Sequence, residues 1–225
     1  MVSQRQGRGA PRPRRARPPA RTGRPGSRER LFAAAAAEFA SRGFAGASVD
    51  RIAAAARLNK AMIYYHFKSK AALYREILRD LFDAVAVRVA AAAQSTADPA
   101  DKIRAYVEAI AIEAEARPHF PPIWFREIAE GGRHLDDTTL KHIAGIIKSL
   151  AGIMQEGVRG GRFRAINPML VHAAIVAPII MYFASAGVRL RLERTGLAGA
   201  GRSDRDEVVA HVQQVALNTL EGRLP

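Results

Sequence analysis

The sequence predicts an all-α fold, and three observations carry that expectation. Apolar residues recur at three- and four-residue spacing through most of the chain. Alternating apolar and polar residues, the mark of a half-buried strand, are nearly absent. Glycine and proline punctuate the helical runs instead. At 225 residues the chain is long enough to bury a core as one large or two small domains. It holds no cysteine, which excludes disulfides, thiolate metal sites and a cysteine nucleophile and fits a reducing, cytoplasmic setting.

Residues 1–26 carry eight arginines, five prolines and no acid. Lacking large apolar side chains, this stretch cannot bury enough surface to fold and reads as a disordered basic arm. Its prolines and scarce serine argue against a transit peptide, and no apolar run follows to make a secretory signal. Two readings stay open for it: an arm that tracks phosphates or enters a minor groove, or a solvated tail with weak contacts. The charge of the whole chain is sided. Of the formal +14, residues 1–26 hold +8, residues 27–72 hold +5 and residues 73–225 only +1. A polyanion that meets only the opening third is the simplest partner.

Ser27 is a candidate N-cap of the first helix and Gly43 its stop. Between them Phe32, Ala35, Ala36, Phe39 and Ala40 form an apolar stripe that reads as core, which Phe44 seals beyond the stop. Ser48 precedes a second helix over residues 49–56, where its hydroxyl can cap free amides and the helix start can hold a phosphate. Ile52, Ala55 and Ala56 form that helix's inward face. Arg57-Leu58-Asn59 then makes a tight turn into a third helix that ends at Phe67. Ile63 and Phe67, four apart, face inward and leave Lys60, Ala61, Tyr64 and Tyr65 facing out. The pattern is that of a helix-turn-helix, which lays its second helix in a DNA major groove. Exposed aromatics beside a lysine suit that surface: hydroxyls reach phosphates, rings meet thymine methyls, and Lys60 reaches phosphate or guanine. His66, Lys68 and Lys70 add a basic cluster where the next helix starts.

Residues 27–75 resemble the DNA-binding domain of the TetR family of transcriptional regulators. The resemblance rests on the helix into Gly43-Phe44, on Ser48-Val49 and Ile52-Ala53, and above all on the run IYYHFKSK from Ile63 to Lys70. It implies Ser48, Lys60, Tyr64, Tyr65, His66 and Lys70 as DNA contacts, most of them to phosphate. The sequence departs from the family's usual pattern at Arg57, where glycine is common, at Asn59, where serine is common, and at Ala61-Met62, where Gly-Thr is common. Asn59 and Ala61 join the contact set because the chain's own base preference is expected among these departures. The resemblance further implies a repressor that binds a palindromic double-stranded operator as a homodimer and is released by a small molecule.

The fourth helix starts near Ala71 and runs through Leu73, Ile77, Leu81 and Val85 towards Ala93, bridging the two ends of the protein. Asp98-Pro99 restarts the chain, and Ile103, Tyr106, Val107, Ile110 and Ala114 form a helical stripe that Arg117-Pro118 ends. Pro121-Pro122 opens a short helix with Trp124, Phe125 and Ile128, which Gly131-Gly132 closes. Residues 138–158 form another, with Leu140, Ile143, Ile147, Leu150 and Met154 on one side and Gly160-Gly161 after it. Residues 169–188 are the most apolar and could span a bilayer by length. His172 and Pro178 inside the run, the want of a second span and the amphipathic flanks favour a helix buried in a protein core or between subunits, and no membrane. Residues 196–203 read as a flexible loop, and residues 206–220 as the last helix. The expectation is about nine helices: a three-helix DNA-binding domain over 27–72 and a helical ligand-binding and dimerisation domain over 73–225. By the resemblance, the last two helices pair with their symmetry mates, which places Val208, Val212, Val215 and Ala216 at a dimer interface. Tyr106, His119, Phe120, Trp124, Met154, His172, Met181 and Tyr182 are candidates to line a pocket for a mostly apolar effector.

No enzyme is expected. The chain has no HExxH, GxSxG or phosphate-binding glycine loop, and its six histidines lack metal-ligand spacing, so no metal or cofactor is assigned. The competing function is a basic architectural or chaperone protein for nucleic acid, which needs the charge but no effector.

Overall fold

The computed structural model describes residues 25–197 and 204–223. Nearly all of the basic arm and most of the 196–203 loop therefore lie outside the described residues. The described residues form ten α-helices and no strand: α1 (Ser27–Gly46), α2 (Val49–Ala56), α3 (Ala61–Phe67), α4 (Lys70–Ala92), α5 (Pro99–Ala116), α6 (Phe120–Ala129), α7 (Asp137–Arg159), α8 (Pro168–Ala184), α9 (Ala186–Arg194) and α10 (Arg205–Glu221). The tenth comes from a break in the long apolar run. Ser185 Oγ donates to the Tyr182 carbonyl at 3.3 Å, Arg189 donates to the same carbonyl, and α9 leaves α8 at 58°. A hydroxyl competing for a helix carbonyl favours such a bend.

At the amino-terminal end α1 packs on α2, α3 and α4. Its regular backbone breaks at Gly43, where φ is +69°. Only glycine is at ease there, because a Cβ would also stand 3.2 Å from Arg126 Nη1 of α6. α4 joins the two ends of the molecule. Ser69 Oγ caps it by accepting the Ala72 amide at 3.0 Å. Its buried face runs from Leu73 and Tyr74 through Leu78 to Val85 and Val89, meeting α1 and α3 first and α5 and α7 further on. Twenty-three residues make it about 35 Å long.

Around the second half of α4, the helices α5, α7, α8 and α10 enclose a core of Ile103, Tyr106, Ile110, Leu150, Ile153, Ile175 and Ile179. Polar clasps fix their ends. Asp98 caps α5 through the Ala100 amide at 2.7 Å and also receives Arg162 at 2.7 and 2.8 Å, and Arg162 reaches Glu221 of α10 at 3.1 Å. Asp136 caps α7 and receives Arg79 of α4 at 2.8 Å.

Two expectations concern the last helices. Val212 and Ala216 are buried within the protomer, since α10 packs on α5 and α8 of its own chain. Val208 and Val215, the other two residues expected at a dimer interface, are half-buried. α8, expected to lie buried in a core or between subunits, buries Val171, Ile175, Ile179 and Ile180 within the protomer. Its opposite face, with Leu170, Ala173, Ala174, Ala177 and Met181, is exposed. No single helix among the described residues is long and apolar enough to cross a membrane.

Candidate nucleic-acid interface

The surface built by α2 and α3 follows from how each helix is started and stopped. Ser48 Oγ accepts the Asp50 amide at 3.2 Å and opens α2. The Ser48 amide donates to Glu38 at 3.2 Å, and Arg51 donates to the same carboxylate at 2.7 Å. Burial alone would push the Glu38 carboxyl up, but Arg51 and the Ser48 amide outweigh it and hold it below its ordinary value. α2 closes on Arg57 in the left-handed conformation (φ 55°, ψ 47°), with Arg57 N bonding Ala54 O and Leu58 N bonding Ala53 O. These two bonds make the Schellman stop that usually carries glycine, so the turn keeps its shape with an arginine in the strained position. Asn59 Oδ1 then accepts the Ala61 amide at 2.9 Å and starts α3. The Asn59 carbonyl oxygen is thereby occupied, and its amide nitrogen is the part left to meet a partner.

On α3, Ile63 and Phe67 are buried, which fixes the opposite face. That face presents Tyr64 and Tyr65, 50% and 78% exposed, beside exposed Lys60 and Ala61. Lys60 holds only Asp50, at 3.1 Å, with both side chains in solvent, and such a pair gives way readily to a phosphate. His66 is half-buried, and Ser27 Oγ lies 2.8 Å from its Nε2. Arg28 sits over the Phe67 ring at 5.1 Å. The start of α1, where the basic arm joins, is therefore beside the end of α3, which spacing alone does not reveal.

Lys70 corrects the sequence reading. Its ammonium is turned inward, donating to the Phe44 and Ala47 carbonyls at 2.8 and 3.0 Å and resting over the Phe44 ring at 4.6 Å. The end of α1 leaves carbonyls without helix partners, and Lys70 supplies the donor. It braces the turn into α2. Lys68, exposed and at φ +68°, remains outward in a tight turn closed by Ser69 N to Phe67 O at 2.8 Å.

Residues 31–77 match the model for bacterial regulatory proteins of the tetR family, and residues 99–209 match the tetracyclin repressor-like C-terminal domain. The chain belongs to the TetR family. It is 36% identical over 106 residues to the HTH-type transcriptional repressor SCO4008 of Streptomyces coelicolor, covering 47% of this chain and 52% of that one. The chain thus spans about half the length of that relative. Over 142 residues it is 30% identical to the HTH-type transcriptional repressor KstR2 of Mycolicibacterium smegmatis, covering 61% and 67% of the two chains. Among solved structures, a tetR-family regulatory protein from Rhodococcus RHA1 has the same fold, with a TM-score of 0.70 over 86% of this chain and 96% of that one at 19% identity. As a TetR-family member the protein is a DNA-binding transcriptional regulator and not an enzyme.

Behind this reading head lies a small cavity of about 40 Å³ between α4, α5, α6, α7 and α8, space for about three waters at roughly 10–15 Å³ each. Of the residues expected to line a pocket, Phe120, Trp124 and His172 do so. The Phe82 ring meets both aromatics edge-on, at 5.6 and 4.8 Å. Tyr106 stands just behind His172, hydroxyl to Nδ1 at 3.0 Å. The others fall elsewhere. His119 precedes α6 outside the lining, and Met154 borders a separate open groove with Val158 and Ile166. Met181 is on the exposed face of α8, and Tyr182 packs under the Arg189 guanidinium at 4.0 Å. Sequence reasoning missed Phe82, Val85, Ile110 and Ile146, whose regular spacing marks them only as core. A larger, open cleft of about 580 Å³ is charged, bordered by Arg28, Glu76, Arg79, Asp80 and Asp83.

α6 links this cavity to the reading head. Phe120 and Trp124 of α6 are in the cavity wall, while Arg126 donates to the Ser41 carbonyl of α1 at 2.9 Å. Glu127, 1% exposed, accepts the Tyr74 hydroxyl at 3.0 Å and the His134 amide at 2.8 Å, with His134 Nδ1 at 3.1 Å. The His134 ring packs on Phe44 at 4.3 Å. Burial first, then the Glu127 charge, pushes the Tyr74 phenol far above its ordinary value, so it stays a donor through the neutral range.

Proposed function

We propose that the protein is a homodimeric repressor that reads a palindromic operator with α3 and leaves it when a small, mostly apolar molecule enters the cavity behind α6. The observation that carries the DNA half is the pairing of two exposed tyrosines with a helix whose other side is locked into the core. Single exposed aromatics are common, but Tyr64 and Tyr65 beside Lys60, at the one place where a helix-turn-helix presents its second helix, form a reading surface. Ser48, Asn59, Lys60, Ala61, Tyr64, Tyr65 and His66 are its contacts, and the basic arm of residues 1–26 reaches the same DNA from the start of α1. Residues 27–72 act as the reading domain and residues 73–225 as the effector and dimer domain, in the cytoplasm.

For the dimer, the exposed face of α8 supports self-association better than the valines of α10. Leu170 and Met181 are 66% and 55% exposed, and the alanines between them allow close helix approach. A two-fold axis across this face would present two copies of α3 to successive turns of one DNA face. For release, a ligand larger than the cavity must move α6 or α8, and α6 is the helix that grips Ser41 and Tyr74 at its far end. The ligand then favours the conformation in which the two heads no longer match their half-sites.

Selection of bound sequences from a random DNA pool, followed by gel shifts, tests the reading. Tyr64→Ala with Tyr65→Ala should weaken the selected site by about 1–3 kcal/mol, roughly fivefold to 150-fold, while the protein stays folded and self-associated. Unchanged affinity, or no sequence enriched over random DNA, would refute it.

A further inference from the structure

The cavity wall holds a single side-chain lone pair. Nine of its ten lining residues are aliphatic or aromatic, the indole N–H of Trp124 can only donate, and the tenth is His172. No acid and no permanently charged base lines it. What the cavity can recognise therefore depends on which nitrogen of His172 carries the proton, and the neighbours of His172 decide that.

The Tyr106 hydroxyl lies 3.3 Å from the Ile146 carbonyl and 3.0 Å from His172 Nδ1. It has one proton to give, and a carbonyl can only accept. Both contacts are hydrogen bonds only if Tyr106 donates to Ile146 and accepts from an Nδ1–H of His172. Burial holds the ring neutral by lowering its affinity for a second proton. A neutral ring protonated on Nδ1 has a bare lone pair on Nε2, on the edge turned away from Tyr106.

We propose that the cavity, once α6 or α8 gives way to enlarge it, takes a neutral apolar ligand carrying one hydroxyl, which donates to His172 Nε2. The inference rests on reading this cavity as the effector site and goes further by fixing the polarity of its one specific bond. An ether or ketone of the same shape meets lone pair with lone pair. A carboxylate does the same and must also shed its water, and an ammonium finds no counter-charge in the wall. Selectivity follows from leaving the Nε2 acceptor unpaired once the ligand shuts out water, which for one group amounts to about tenfold or more.

Two measurements on the full-length protein test this separately. The first needs no ligand: long-range proton–nitrogen correlation on ¹⁵N-histidine-labelled protein, with His172 assigned by its disappearance in His172→Phe. A protonated Nδ1 and a bare Nε2 are expected, and loss of that preference in Tyr106→Phe. A protonated Nε2 in the native chain overturns the proposal. The second compares phenol, anisole and toluene for thermal shift and for release of the selected operator. Phenol should act at a concentration about tenfold lower than anisole, and His172→Phe should erase the difference while toluene keeps its effect. Equal action of phenol and anisole on the native protein overturns the proposal. If none of the three acts, the ligand half falls together with the effector reading, and the tautomer is still judged by the first measurement.

Discussion

Glu127→Ala removes the acceptor at the joint between α6 and the reading head, and the structure sets the size of the effect. The carboxylate is 1% exposed and holds the Tyr74 hydroxyl, the His134 amide and His134 Nδ1 within 2.8 to 3.1 Å. Truncation leaves the Tyr74 hydroxyl, itself buried, and the His134 amide without a partner, at about 1–3 kcal/mol each. The one buried methylene lost adds about 0.8 kcal/mol. The loss should come to about 4 kcal/mol, a large share of the roughly 5–15 kcal/mol that holds a domain together. Glu127→Gln keeps the shape and one acceptor oxygen and should cost about 1–2 kcal/mol. Urea unfolding at one fixed protein concentration measures both, because self-association would shift the midpoint with concentration. A Glu127→Ala protein within about 0.5 kcal/mol of the native one would mean that water already satisfies these groups, and would remove the joint from the argument.

Other perturbations test separate parts of the structure. Gly157→Ala should destabilise by about 1–3 kcal/mol despite alanine's better helix propensity, because the added Cβ would stand 2.0 Å from the Phe163 ring; an unchanged melting temperature contradicts that close packing. Arg57→Gly should stabilise by about 0.5–1 kcal/mol, the relief of a left-handed arginine less the extra freedom of glycine in the unfolded chain; a loss of stability would show that the arginine side chain anchors the turn. Burial lowers the proton affinity of His172, so the unfolded chain binds more protons below the ordinary histidine value. Stability should therefore be full above about pH 6.5 and decline as pH falls below it. His172→Phe should flatten that decline in thermal melts between about pH 7 and 5, and an unchanged slope counts against a buried neutral ring.

The reading head was legible because its pattern is local. Ile63 and Phe67 four residues apart determine one face of α3, and the other face, with Tyr64 and Tyr65, follows without knowledge of the rest of the chain. Lys70 shows where that logic stops. Its role depends on the Phe44 and Ala47 carbonyls, more than twenty residues away in sequence, coming within reach of its ammonium. The apolar run over residues 169–188 says less for a different reason. A helix apolar on every side has no periodicity to say which side is inside, so Met181 could be placed in the pocket or on the surface with equal justice. Packing of Ile175 and Ile179 into the core decides for the surface. The break at Ser185 is equally silent, because a serine within an apolar run reads as a tolerated helix residue until its hydroxyl is seen on the Tyr182 carbonyl.

Glu127 is the hardest case, and it alters how the two halves of the molecule should be viewed. A glutamate between Arg126 and Ile128 near the end of a short helix reads as a solvated charge. In the fold it is among the most buried polar groups, because α6 is wedged between the cavity and α1. Ten residues span only about 15 Å, so Phe120 and Trp124 in the cavity wall and Arg126 and Glu127 at the head are ends of one short rigid rod. A displacement of one end by an ångström or two is too large for the hydrogen bonds at the other to follow by stretching, since they lapse beyond about 3.5 Å. The joint is accordingly either made or broken, with little between. A two-state contact of this kind is what a small ligand needs if its modest binding energy is to act on a distant DNA-reading surface.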